Sequence, residues 1–346
     1  MMFTGQTVVR TAVILIAAAA ALPIRADETF PTREVMTSAV AKSLPLLEKG
    51  ARGSLEQRRQ CFNCHNQGLP IMALALAKTR EFSIDSQNLQ EQVQFTADFL
   101  TRNKQRYAEG QGQGGQVDTA GYALWALDDG GWKPDETTVA VAEYFLLRQK
   151  DREHWQSESN RPPTEQSLFT STFVALRGLK VFGVPEQKER IDARIAQVRQ
   201  WLLKTVPEDT EDRVFRLRAL RLIDAGDEVV RQAAADLRMT QRENGGWAQL
   251  AEMDSDAYAT GTALVALHES GGLATDDPVY GKGIGYLVSG QLEDGSWHVK
   301  SRSKPFQTYF ESRYPHGKDQ FISIAAASWA TMAITLALPK SVVASE

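Results

Sequence analysis

The sequence predicts an all-α protein, an (α/α)6 toroid in which six inner helices form a ring and six outer helices surround it. Apolar, Ala-rich or Leu-rich segments recur along the chain, and charge-rich amphipathic segments lie between them. The pattern Gln-x-x-x-Gly-x-Trp occurs at residues 241–247 and again at residues 291–297. A motif that recurs at a fixed period is typical of proteins built from stacked units. We therefore expect almost no β-strand.

The inner helices are predicted where apolar residues recur at helical spacing, as in Ala120, Ala123, Leu124 and Leu127. A helix that is apolar around most of its circumference belongs in the interior. Six segments meet this description: residues 71–78, 119–127, 169–179, 214–222, 258–268 and 322–336.

The outer helices are predicted where one face is apolar and the other is charged. Five such segments separate the inner helices: residues 86–102, 136–150, 186–204, 228–240 and 278–287. A sixth outer helix comes from residues 33–49 if the ring closes and this N-terminal helix packs behind the last inner one. All inner helices then run in the same direction, so their N-termini meet at one mouth of the ring.

The N-terminus resembles a secretory signal peptide. Arg10 is followed by the apolar residues 11–24, and cleavage is predicted after Ala26. Residues 27–346 are then one toroid domain in an exported, periplasm-like location. No mature segment is expected to span a membrane, since none approaches the ~20 consecutive apolar residues required. The 39 basic and 43 acidic side chains disfavour a nucleic-acid partner.

The two cysteines and a histidine fall within five residues, Cys61-Phe62-Asn63-Cys64-His65. C-x-x-C-H is the attachment signature of c-type haem, in which both thiols bind the porphyrin covalently and the histidine is the proximal iron ligand. The sequence therefore predicts one covalent haem c. A local disulfide and a chance match of the motif remain open as alternatives. A redox C-x-x-C lacks its usual βαβ context here, and a zinc site lacks two further ligands.

A second axial ligand of the iron is sought among residues predicted near the same mouth of the ring. Ring closure makes the last inner helix a neighbour of the first, so His316 is expected near His65 and is the leading candidate. Met253 is the second candidate and His298 the third. Each is also compatible with an ordinary packing or surface role.

Two connections are longer than most helix–helix loops. Residues 154–166 precede the third inner helix and are expected to cover the mouth. Residues 298–313 precede the last inner helix. Their basic side chains are candidates for neutralising haem propionates or receiving an acidic partner: Lys300, Arg302, Lys304 and Arg313. Their aromatic side chains are candidates for covering the porphyrin: Phe306, Tyr309 and Phe310. A solvated basic loop with packing aromatics is the alternative.

The two Gln-x-x-x-Gly-x-Trp motifs, each followed by an apolar helix, resemble the repeats of the prenyltransferase and squalene-cyclase superfamily. The resemblance covers most of the mature chain and implies that the Gln and Trp side chains tie successive outer helices together. It implies a fold rather than a chemistry.

The cyclase chemistry of that superfamily uses an Asp-x-Asp-Asp motif, and this chain has only Asp254-Ser255-Asp256-Ala257. Asp256 is therefore expected to be a helix N-cap. Two classes of function remain. The favoured one is an exported haem protein that transfers electrons or acts in haem-dependent redox chemistry, with an unidentified redox protein or small molecule as partner. The alternative is a cavity enzyme acting on a lipid or terpenoid-like substrate, with Asp254 and Asp256 at the cavity mouth. The sequence contains no complete catalytic motif, so it leaves open whether the protein is an enzyme.

Overall fold

A computed structural model describes residues 1–2, 30–304 and 308–340. In this part of the chain the regular structure is helical, and β-pairing is confined to two isolated bridges, Arg161 with Glu165 and Ala248 with Ser255. The predicted all-α class is confirmed. Apart from its first two residues, the predicted signal peptide lies outside the described residues.

The inner helices form a closed ring, because each contacts the next and the last contacts the first. In chain order they are α2 (Leu69–Lys78), α5 (Gln116–Asp129), α7 (Leu168–Phe182), α9 (Thr210–Leu222), α11 (Ala257–Glu269) and α13 (Gln320–Ala337). All six predicted inner segments are confirmed.

The outer helices are α1 (Arg33–Gln57), α3 (Ser86–Thr101), α6 (Glu136–Leu147), α8 (Lys188–Lys204), α10 (Asp227–Arg238) and α12 (Pro278–Ser289). A short helix that the sequence does not predict, α4 (Lys104–Ala108), follows α3. Helix α1 supplies the sixth outer helix as predicted and continues past residue 49. A Cβ at Gly50 or Gly53 would collide with Ile324 or with the carbonyl of Ser312, so small residues permit this close packing.

The repeat motifs tie the ring together through hydrogen bonds. Trp247 and Trp297 are buried, and each indole N–H donates to a backbone carbonyl ten residues earlier, at 3.0 Å and 2.8 Å. Gln241 donates to the carbonyl of Val279 in the next outer helix, α12 (2.8 Å). Gln291 donates to the carbonyl of Ala39 in α1 (2.9 Å). The second motif therefore connects the last outer helix to the first.

A third tie has no counterpart in the sequence motif. The indole N–H of the buried Trp155 donates to the carbonyl of Phe145, again ten residues earlier (3.0 Å). Trp132, which stands in a weaker copy of the motif, is only half buried and donates instead to the nearby Asp135 (3.0 Å). The third tie is therefore made by Trp155 and not by Trp132.

Aromatic side chains from different inner helices fill the centre of the ring. The ring centroid of Trp125 lies 5.2 Å from that of Phe173 and 5.9 Å from that of Trp329. The buried guanidinium of Arg218 lies 4.8 Å from the Trp125 centroid. Because these residues come from α5, α7, α9 and α13, their contacts cross the lumen.

Residues Gly317–Ala337, which include α13, are long and apolar enough to cross a membrane by length and composition alone. Polar residues interrupt this segment, so it is not a run of consecutive apolar residues, and the expectation that no mature segment spans a membrane stays a prediction. Of the most apolar 18 residues in this segment, 83% are buried within the ring, as expected of a helix with neighbours on every side.

Candidate functional site

The C-x-x-C-H segment lies between α1 and α2, where polar side chains hold it in place. The Asn63 side chain accepts hydrogen bonds from the backbone N–H groups of His65 and Asn66, both at 3.1 Å, at the start of the turn Cys64–Gly68. The Gln67 side chain accepts from the N–H of Asn63 (2.9 Å). These bonds place both cysteines at the N-terminal end of the first inner helix.

Cys61 and Cys64 line one pocket of about 350 Å³. Its walls come from the C-terminal end of α1, the residues before α5 and residues 154–166 before α7, which we call the insertion. Phe62 and Phe99 provide apolar surface, and Arg161 provides charge together with its ion-pair partner Glu165. Both thiols are free. Burial, followed by the Glu165 carboxylate, raises the pKa of the Cys64 thiol, so this thiol is protonated at neutral pH.

The imidazole of His65 points to the insertion. Its Nε2 atom lies 3.1 Å from the hydroxyl oxygen of Thr164. Burial, with a smaller contribution from Arg161, lowers the pKa of His65 to about 3, so the imidazole is neutral at physiological pH. A neutral imidazole can coordinate a metal without first losing a proton.

Thr164 also belongs to a buried hydrogen-bond network across the mouth. Its hydroxyl lies 3.3 Å from that of Tyr258, which donates to a carboxylate oxygen of Glu211 at 3.1 Å. Thr170 also donates to Glu211 (3.0 Å). Burial, with a contribution from Asp209, raises the pKa of Glu211 to about 8, so its carboxyl group is largely protonated at pH 7.

A second buried carboxyl group lies beside the cysteine pocket. Asp118 accepts a hydrogen bond from Ser171 at 2.5 Å. Burial and the neighbouring Glu165 raise the pKa of Asp118 to about 7. The mouth therefore contains two carboxyl groups that change charge near neutral pH.

The two long connections meet over this mouth, as expected for residues 154–166. Thr164 contacts His65 and Tyr258, and the Ser303 hydroxyl donates to the carbonyl of Pro162 (3.2 Å). The insertion thus covers the histidine, and the second connection packs on the insertion.

The candidate distal ligands do not line the cysteine pocket. His316 Nε2 lies 2.9 Å from the Ser296 hydroxyl, and its ring stacks on His298 with centroids 4.7 Å apart. Met253 is half buried in the turn before α11. His316 therefore contacts Ser296 in the second repeat motif and the adjacent His298, and its expected place near His65 stays a prediction. Ring closure brings the helices together, but the local turn directs the His316 side chain.

The basic residues of the second connection have partners away from the cysteines. Arg302 donates to Gln249 (2.8 Å), and Arg313 forms an ion pair with Glu56 (2.5 Å). Lys304 lines a neighbouring surface pocket, and Lys300 does not line the cysteine pocket. The pocket arginines are instead Arg58 and Arg161, which corrects the expectation from sequence.

The aromatic residues predicted to cover the porphyrin have other contacts. Phe310 packs on Phe321 and under the guanidinium of Arg58. Tyr309 is exposed and also contacts Phe321. Phe306 lies outside the described residues.

Asp256 is the N-cap of α11, as predicted. Its carboxylate accepts from the N–H of Ala259 and from the Gln249 side chain, both at 2.9 Å. Burial raises the pKa of Asp256. Asp254 is exposed two residues earlier.

Gln113 lines the cysteine pocket and was not among the candidate residues predicted from the sequence. A signal was present in the run Gly110-Gln111-Gly112-Gln113-Gly114-Gly115. Gly112 and Gly115 have φ values of +64° and +76°, which non-glycine residues rarely adopt. This run forms the turn that carries Gln113 into the pocket.

The pocket fits a covalently bound porphyrin in its thiols and its walls, because two free thiols lie beside apolar surface and arginine side chains. The neutral His65 follows the second thiol in the sequence but is not among the residues that line the pocket, so its use as an iron ligand requires a local change. Coordination through His65 Nε2 requires its bond to Thr164 to open. Within the described residues no three His, Cys, Asp or Glu side chains gather to hold a metal ion. A c-type haem needs no such cluster, because the porphyrin supplies four nitrogens.

No protein-family model and no curated protein sequence matches this chain. Solved structures do match its fold. The apo type II terpene cyclase MstE from Scytonema is 14% identical, with 88% of this chain and 98% of that chain covered and a TM-score of 0.57. An unsaturated glucuronyl hydrolase from Bacillus sp. GL1 is 12% identical, with 86% and 96% covered and a TM-score of 0.55. These likenesses show the α/α-toroid fold.

Proposed function

We propose that this chain is an exported c-type haem protein in which Cys61 and Cys64 bind one haem covalently and His65 is the proximal iron ligand. The observation that carries the proposal is that both thiols of a C-x-x-C-H motif line one pocket beside arginine and aromatic side chains. Attachment adds each S–H across a vinyl C=C bond, so a C–S bond forms and the hydrogen passes to the other vinyl carbon. No oxidant is required.

The bound haem would supply a one-electron redox centre. The chain would supply the two thioether anchors, a neutral imidazole and a pocket wall of Phe62 and Phe99. Electron transfer to a redox protein or small molecule needs no further catalytic group. We therefore propose electron transfer, or a haem-dependent redox function, as the role of this centre.

Intact mass spectrometry tests the proposal. The full chain is expressed in the bacterial periplasm with the haem-attachment machinery, and the purified protein is expected to carry the mass of one haem. The double variant Cys61→Ala/Cys64→Ala is expected to carry none, with an unchanged far-UV circular dichroism spectrum. A co-expressed c-type cytochrome is the control. If that control acquires haem and the wild-type chain does not, the haem proposal is wrong.

A second candidate is a cavity enzyme acting on a lipid or terpenoid-like substrate. The fold comparisons favour it over the haem proposal, because MstE is a terpene cyclase and none of the neighbours named above is described as a haem protein. Two acids at the mouth, the partly buried Asp256 and the buried Glu211, have pKa values that burial raises. The central packing of Trp125, Phe173 and Trp329 occupies the lumen, so a long apolar substrate would have to displace it.

The test of this candidate is incubation with geranylgeranyl-bearing substrates, followed by mass spectrometry and NMR. A cyclised isomer of unchanged mass, lost in Asp256→Asn or Glu211→Gln, would support it. Unchanged substrate in every incubation, beside a cyclase that converts the same preparation, would contradict it.

A further inference from the structure

Gln113 is an unexplained polar group in the wall of the cysteine pocket. Its side chain is only 9% exposed, and within the described structure neither its amide nitrogen nor its amide oxygen has a hydrogen-bond partner. Leaving a buried polar group unpaired costs on the order of 1–3 kcal/mol. Gln113 lines the pocket, so its unpaired amide can be satisfied by a bound ligand once the side chain turns towards that ligand.

Arg58 lines the same pocket and lacks a counter-charge. It stands at the C-terminal end of α1, and its guanidinium lies 5.2 Å from the ring centroid of Phe310. Among the described residues no carboxylate forms an ion pair with it, whereas Arg161 pairs with Glu165. The pocket therefore has two guanidinium groups and one acidic partner for them, which leaves one positive charge uncompensated.

Part of the pocket wall is apolar. Phe62 and Phe99 line it together with the two cysteines, and their rings are tilted by 35° with centroids 5.9 Å apart. A ligand that satisfies both sides has an apolar body and at least one carboxylate, since a guanidinium and an amide N–H are strong donors to that group.

We propose that Arg58 and Gln113 form a carboxylate-binding site in the cysteine pocket, which takes a propionate of the attached porphyrin. This assignment of the propionate rests on the proposed haem function. The carboxylate chemistry itself follows from the unpaired guanidinium and amide, and a free carboxylic acid with an apolar tail shares it.

The test uses the full-length mature chain, expressed without the haem-attachment machinery, and two metal-free probes. Protoporphyrin IX has two free propionates, and its dimethyl ester has the same ring with both groups neutralised. Metal-free probes remove any contribution from His65 ligation. We expect the wild-type chain to bind the free acid about five- to tenfold more tightly than the ester, because charge-assisted hydrogen bonds are lost in the ester. Tryptophan quenching measures both affinities.

Two variants and one control assign the effect to the site. Arg58→Gln is expected to remove most of the preference for the free acid, and Gln113→Leu part of it. Arg59→Gln changes the neighbouring exposed arginine outside the pocket and is expected to preserve the preference. Equal binding of acid and ester by the wild type, or equal effects of Arg58→Gln and Arg59→Gln, would overturn the site.

Dodecanoate separates the two sources of the carboxylate. If it binds in an Arg58-dependent manner and protoporphyrin IX does not bind, the carboxylate site stands and the propionate assignment is overturned. The haem function is judged separately by intact mass. A chain that carries covalent haem but shows Arg58-independent porphyrin binding overturns the inference alone, and a chain without covalent haem but with Arg58-dependent acid binding overturns the haem function alone.

Discussion

The Nε2 atom of His65 lies 3.1 Å from the hydroxyl oxygen of Thr164, although 99 positions separate the two residues in the sequence. This contact joins the histidine of the C-x-x-C-H motif to the insertion that covers the mouth of the ring. It also occupies the imidazole nitrogen that the proposed haem would need. The insertion is therefore expected to stabilise the haem-free protein. Its hydrogen bond between Thr164 and His65 is expected to break when haem binds.

Thr164→Val tests this contact, since valine keeps the shape and removes the hydroxyl. The haem-free variant is expected to lose about 1–3 kcal/mol of unfolding free energy, because His65 and Tyr258 each lose a buried partner. Urea denaturation measures this loss, and Thr164→Ser should largely restore stability. The haem-to-protein ratio of the variant should not fall. A variant as stable as wild type would show that the contact is not formed.

The buried carboxyl group of Glu211 predicts a pH-dependent stability. Its pKa is about 8 in the folded chain and near 4.5 when exposed, so the folded state binds the proton more tightly. The stabilisation is complete below about pH 4.5 and is lost as the pH rises towards 8. Glu211→Gln keeps a neutral, hydrogen-bonding side chain at every pH. We expect wild-type stability, relative to this variant, to fall by about 1–3 kcal/mol between pH 5 and pH 8.

Denaturant unfolding at pH 5, 6.5 and 8 measures that difference. The exposed Glu252→Gln is the matched control and should parallel the wild type at each pH. A difference between wild type and Glu211→Gln that does not change with pH would contradict the buried, protonated carboxyl group.

The tryptophan ties predict a graded loss of stability. Trp155→Ala, Trp247→Ala and Trp297→Ala should each cost about 3–5 kcal/mol, because each removes a buried indole and leaves a cavity. Trp132→Ala should cost about 1 kcal/mol, since that indole is half exposed and bonds only to a nearby side chain. Midpoints of chemical denaturation give the order. Equal costs for Trp155→Ala and Trp132→Ala would contradict the third tie.

The positions of His316 and Met253 predict that neither is an iron ligand. His316 is held by Ser296 and stacks on His298, and Met253 lies in the turn before α11, where its backbone N–H donates to Leu250. His316→Ala and Met253→Ala are expected to leave the visible absorption spectrum of the haem-loaded protein unchanged. Conversion of a low-spin spectrum to a high-spin one in either variant would show that the substituted residue is an iron ligand.

The sequence by itself determined the six inner and six outer helices and their order in the ring. These follow from local periodicity, because a segment of 10–18 residues already shows which of its faces is apolar. The motifs at Gln241–Trp247 and Gln291–Trp297 also indicated that adjacent units are tied. The C-x-x-C-H motif is equally local, so its cysteines and histidine could be selected without a structure.

Only the tertiary structure decided which side chains meet at the mouth. Thr164 reaches His65 and Gln113 enters the cysteine pocket through connections whose paths depend on distant contacts. Closure of the ring was predictable, yet the His316 side chain turns to Ser296 because that hydroxyl, fixed by Asp294, is its nearest partner. Periodicity assigns a face to a helix, but a loop side chain takes its direction from the neighbours that folding brings to it.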